Sequence, residues 1–170
     1  MQMLKIGDMA VYPAQGVAQV TGIESKELMG KKVTFYILRI VDTDMKIMVP
    51  VDRSDAVGLR QVIDEEEIVT LYKLLKQRNI KVDRQPWNRR YRGFMEKLKT
   101  GKIHDVAVVY RDLSLLKHDK VLSFGERRML DTAKNLIVKE LSVAKHTNEK
   151  TIELELENLF VGKDLKTKPD

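Results

Sequence analysis

The hydrophobic period of this chain changes once, near residue 64, and that single switch limits the folds open to it. Before it, apolar residues fall in short β-branched runs separated by turn signals; after it, they recur at helical spacing. In the first part, Met9-Ala10-Val11-Tyr12 leads into a Pro13–Gly16 turn, and Val17 to Ile23 forms a second run. Gly30 then separates Val33–Ile40, and Asp42-Thr43-Asp44 separates Lys46–Val51. Short strands at this spacing predict a small barrel or a strongly bent sheet. Pro50 cannot donate to a ladder, which puts it at the end of an edge strand.

From Asp64 onward the pattern is helical. Asp64-Glu65-Glu66-Glu67 supplies carboxylates where a helix N-terminus wants them, so the acidic run reads as a helix start and not as a metal site. Asn79 and Pro86 bracket a linker. Further helices are expected over about 88–99, ending at Gly101, then over about 103–116 and from Ser123 to about Ala144. Ser123 with Glu126 three residues on fits a capping box. Residues 149–160 form a last helical segment. The expected organisation is a two-domain α+β chain: a β domain over 1–63, a helical domain over 64–162 and a polar tail over 163–170.

Charge divides along the same line. Residues 1–66 hold 8 Lys+Arg against 10 Asp+Glu, whereas residues 73–128 hold 16 against 6. A basic stretch beside a near-neutral half suits a polyanion partner for the helical part. Cysteine is absent, the start lacks the apolar run of a signal peptide, and no stretch approaches the ~20 apolar residues of a membrane helix. These features lead to a cytoplasmic expectation. His104, His118 and His146 stand far apart, and no phosphate-loop, dinucleotide or nucleophile-elbow motif is present. Neither catalysis, a metal nor a cofactor is expected; binding is.

The sharpest binding candidate is Pro86-Trp87-Asn88-Arg89-Arg90-Tyr91-Arg92. It holds the only tryptophan, with three arginines in four residues, at a helix entrance. A rigid apolar plate beside guanidiniums fits a minor-groove wedge with flanking phosphate contacts. The bland alternative makes Trp87 a staple packed on Tyr91, beside an inward stripe of Met95, Leu98, Phe94 and Tyr91 itself. Arg89 and Arg92 align on one side, and Arg90 points elsewhere. Arg127 and Arg128 lie at the start of the long helix, where the dipole disfavours cations unless an anion is expected.

Several segments carry a family resemblance: Gly7-Asp8-Met9-Ala10-Val11-Tyr12-Pro13-Ala14-Gln15-Gly16, Val57-Gly58-Leu59-Arg60, Trp87–Arg92, Glu96–Gly101, Arg111-Asp112-Leu113 and Leu122–Leu130. Together, over about residues 3–160, the sequence resembles the CarD/CdnL family of bacterial transcription regulators, on its CdnL branch. The resemblance implies a Tudor-like RNA-polymerase-interacting domain that adds an edge strand to the polymerase β subunit. The contacting residues here would be Lys46, Ile47, Met48, Val49 and Pro50, with Lys26 nearby. Met48 departs from the arginine of some members, so contact there would be apolar. The resemblance further implies a helical domain that touches promoter DNA at the upstream edge of the melted bubble. Trp87 would be its minor-groove wedge, with Arg89, Arg90, Arg92 and Arg127 as basic neighbours. A monomer is expected, with weak DNA binding free of sequence preference. Two rivals remain: a polymerase-bound adaptor that never touches DNA, and a methyl-ligand reader built on Tyr12, Phe35 and Tyr36.

Overall fold

The β-branched runs form one five-stranded antiparallel sheet in the order β4-β3-β2-β1-β5. Its strands are β1 (Met9–Tyr12), β2 (Gly16–Leu28), β3 (Lys31–Ile40), β4 (Lys46–Pro50) and β5 (Arg60–Gln61). This is a computed structural model, and it describes residues 3–78 and 87–161, with backbone alone at Trp87 and Asn88. The described residues form two compact units that divide between Val62 and Ile63. The expected linker over 79–86 and the tail over 163–170 lie outside the described residues.

Strand β2 does not end at Ile23 but runs on to Leu28. The register slips between Val20 and Gly22, so Val20 faces Leu38 and Gly22 faces Ile37. One extra residue, Thr21, bends the strand without stopping it and exchanges its two faces. Below the bulge, Ala18, Val20, Leu38 and Ile40 face the core of this unit with Ala10 and Leu4. Tyr36 belongs to that core, and its hydroxyl accepts a hydrogen bond from the Leu4 N–H at 3.1 Å. A buried Tyr36 removes one wall of any aromatic cage, which counts against a methyl-ligand reader. Val51 leaves the sheet after Pro50 and enters a short 3-10 turn through Arg53.

The second unit holds α1 (Glu65–Leu75), α2 (Trp87–Lys99), α3 (Ile103–Asp119), α4 (Phe124–Ala144) and α5 (Glu149–Asn158). Asp64 caps α1 by accepting from the Glu67 N–H at 2.9 Å, so the acidic run is a helix start. Ser123 and Glu126 form the reciprocal capping box at α4. The core stacks Leu71, Leu113, Ile137, Leu141, Ile152 and Leu156. Arg78 donates to the carbonyls of Leu75 and Leu159 and lies 4.6 Å over the Phe160 ring, fastening the end of α1 to the end of α5. Glu140 is buried on α4 and accepts from the Ile63 N–H at 3.0 Å, which pins the first residue of the unit.

Helix α4 ends in a Schellman pattern. The Thr147 N–H donates to the Ser142 carbonyl and the His146 N–H to that of Val143. The left-handed position that usually takes glycine is His146, at φ 52. His146→Gly is therefore expected to stabilise the chain by about 1 kcal/mol, a rise of roughly 2–4 °C in thermal midpoint. Calorimetry of both forms checks it; an unchanged or lower midpoint rejects it.

Candidate functional site

Strand β4 is an edge: it pairs with β3 on one side, and no other described strand pairs with it. Which of its backbone groups face outward follows from the hairpin turn. The Ile40 N–H donates to the Met45 carbonyl, so Ile40 and Met45 make a hydrogen-bonded pair. Alternation along an antiparallel ladder then makes Leu38/Ile47 and Tyr36/Val49 hydrogen-bonded pairs. Arg39/Lys46, Ile37/Met48 and Phe35/Pro50 are the non-bonded pairs, whose backbone groups on β4 point away from β3. Pro50 agrees, since a residue without an N–H fits only there. The free edge thus presents donors and acceptors at Lys46 and Met48 and an acceptor at Pro50.

Side chains divide by the same parity. Val49 is 2% exposed and, with Ile47, packs against the sheet core, whereas Met48 is 38% exposed. Lys46, Met48 and Pro50 stand opposite Arg39, Ile37 and Phe35, and Lys26 stands opposite Val33. Those four β3 residues are odd-numbered and share one face, so Lys26 joins Lys46, Met48 and Pro50 on the outer side. Ile47 and Val49 support the strand from beneath. Arg39 is held by Asp44 at 2.7 Å and Gln19 at 3.3 Å, which keeps its charge beside Lys46.

In the helical unit, the backbone of Trp87 is the first residue of α2, and its side chain lies outside the described residues. Arg89 and Arg92 are exposed and three residues apart, whereas Arg90 is half-buried. Phe94 and Met95 pack on the core, with Leu98 fully inside it. Tyr91 does not join that stripe; it is exposed at 41%. Arg127 and Arg128 are exposed in the first turns of α4.

Sequence reasoning missed Phe124. It is 69% exposed, and the Arg128 guanidinium lies 5.7 Å from its ring centroid. Its neighbour across the helix start, Val121, is also exposed. A helical wheel carries the signal: five residues at about 100° each put Phe124 roughly 140° from the buried Met129. An exposed aromatic in the turn that also carries the exposed Arg127 and Arg128 puts a ring beside guanidiniums at the start of α4. Among the described residues no group of three or more His, Asp or Glu could hold a metal ion, and no helix is long and apolar enough to cross a membrane.

The α4 cap is charged. Glu126 is buried, which alone would raise its carboxyl. The Ser123 N–H, the Lys120 ammonium at 3.0 Å and the Ser123 hydroxyl outweigh that and hold it below the ordinary value. A carboxyl depressed in the folded state adds stability that is present above its unfolded value and lost as pH falls through its folded one. Glu126→Gln is expected to flatten the acid limb of the melting curve between about pH 3 and 5. An acid limb as steep as that of the wild type rejects this.

Comparison with known proteins follows the two units. Residues 4–63 match the family model described as the CarD-like/TRCF RID domain, and residues 70–157 match the CarD C-terminal domain. A Bacillus subtilis (strain 168) relative, "Putative transcription factor YdeB", is 34% identical over 151 residues, covering 88% of this chain and 97% of the relative. Among solved structures, CdnLNt from Myxococcus xanthus is 48% identical and covers 38% of this chain and 92% of its own, with a TM-score of 0.32. The N-terminal domain of Myxococcus xanthus CarD is 41% identical, with 35% and 79% coverage and a TM-score of 0.31. Both parts are matched in order along most of its length: the chain belongs to the CarD-like family of transcription factors.

Proposed function

We propose that this chain binds RNA polymerase through the free edge of β4 and, so held, stabilises the open promoter complex. The polymerase β subunit is the docking partner. Trp87 enters the minor groove at the upstream edge of the bubble, while Arg89, Arg90, Arg92 and Arg127 hold phosphates. The observation that carries the reading is the β4 edge: outward-facing backbone groups and an exposed, apolar Met48, in a segment matching a polymerase-interacting domain model.

Magnitudes assign the parts. The edge offers five outward backbone groups, each net bond is worth about 1 kcal/mol, and association costs roughly 4–15 kcal/mol. Backbone pairing therefore sets register and direction, and side chains such as Met48, Pro50 and Lys26 must supply the surplus. A few phosphate contacts are weak alone, but tethering to polymerase raises the local concentration of the helical unit at the DNA. One copy suffices for this geometry, and the chain works wherever polymerase meets promoter DNA, in the cytoplasm on the nucleoid. A wedge reads deformability more than base edges, so sequence preference is weak.

The test is the lifetime of open complexes formed by purified polymerase, challenged with competitor, with and without this chain. A longer lifetime is expected. If polymerase binds the chain and the lifetime does not change, the open-complex reading fails and the adaptor reading replaces it.

A further inference from the structure

The β2–β3 ribbon runs beyond the rest of the sheet. Strand β1 pairs with residues 16–19 and β4 with residues 35–39, so among the described residues 25–28 and 31–34 pair only with each other. From Phe35 to Lys31 that is about 13 Å of two-stranded ribbon. Isolated two-stranded ribbons are marginal in water, and their tips ordinarily carry turn residues such as Asn-Gly. Here the tip is Met29-Gly30, at φ 52 and 79. A methionine in the left-handed region is strained, and this one is 102% exposed, beside an exposed Leu28. Nothing within the described fold is gained by an apolar, strained residue at that apex, and such outliers persist where function requires them.

Register says which surface the tip continues. Leu28 lies opposite Lys31 and Lys26 opposite Val33, on the same outer face as Met48 and Pro50. An apolar row thus runs from Met48 and Pro50 through Phe35 and Val33 to Leu28. Lys26, Lys31 and Lys46 border it, against one carboxylate, Glu24. We infer that this ribbon tip is a second contact with the same polymerase surface that receives β4, seating Leu28 and Met29 in an apolar recess with an acidic rim. The inference rests on the docking reading above and extends it by about six β3 residues, from Ile37 to Lys31, some 20 Å.

The test uses the full chain and purified polymerase. The double variant Leu28→Thr with Met29→Asn removes the apolar tip while giving the turn a residue suited to positive φ. It is expected to melt no lower than wild type and to bind polymerase at least tenfold more weakly. Met29→Gly relieves the same backbone and removes the same side chain, giving an independent reading of the tip. Binding at wild-type strength by both overturns the inference, and so does an effect on self-association alone. Met48→Pro, measured alongside, separates the two claims. If it loses binding while the tip variants do not, the edge reading stands and the tip inference falls; if only the tip variants lose binding, the edge reading falls, and with it the claim that the tip is a second contact beside β4.

Discussion

Met48→Pro is expected to weaken polymerase binding by roughly a hundredfold, with both units still folded. Met48 belongs to a non-hydrogen-bonded pair with Ile37, so its N–H faces the free edge and its loss breaks no bond to β3. Ile47 before it is already extended, as a residue preceding proline prefers to be. An incoming strand loses one donor and is left with a buried carbonyl that has none, at about 1–3 kcal/mol, and the ring obstructs its approach. At 1.4 kcal/mol per tenfold, those contributions together give the stated loss. Met48→Ala keeps the N–H and removes only apolar contact, so it is expected to cost less. Equal binding by Met48→Pro and wild type, with unchanged melting, rules out this edge as the contact.

Trp87→Ala is expected to return the open-complex lifetime about tenfold toward its value without the chain, while polymerase binding stays intact. Aromatic contact with a base step is worth roughly 1–3 kcal/mol, and 1.4 kcal/mol is a factor of ten. Arg89→Ala with Arg92→Ala is expected to act differently. Each lost phosphate contact lowers the salt slope of the effect by about one, so the double variant fades less steeply as salt rises. Because Trp87 is the only tryptophan, its emission gives a direct check. Red-shifted emission open to a quencher is expected in the free protein; a blue-shifted, protected signal would assign the indole to a packed site. An unchanged lifetime in a folded, polymerase-bound Trp87→Ala variant excludes the wedge.

Much of the architecture could be read from local chemistry. Asp64 and Ser123 announced helix starts because a cap is a contact between near neighbours, visible at a spacing of three residues. Pro50 announced an edge because a missing N–H has few places to go. What escaped depended on distant partners. Thr21 gives no sign that it is an extra residue; the slip exists only relative to Leu38 and Ile37 on another strand. Glu140 resembles its solvated neighbours, yet it is buried and accepts from the Ile63 N–H, 77 positions away. At the candidate site, the edge strand was legible as a segment, but parity divides it into outward Lys46, Met48 and Pro50 and inward Ile47 and Val49. Phe124 was legible by helical angle and was overlooked because apolar residues in helices are usually inside.

Pro50 gives the free edge a terminus as well as a boundary. A strand laid along β4 finds both donors and acceptors at Lys46 and Met48, then at Pro50 an acceptor with no donor beside it. A visitor residue that would place its acceptor at Pro50 therefore finds no donor there. The edge measures its guest from one end, as a stop measures a rod, and a second copy of β4 offered to itself meets two such stops.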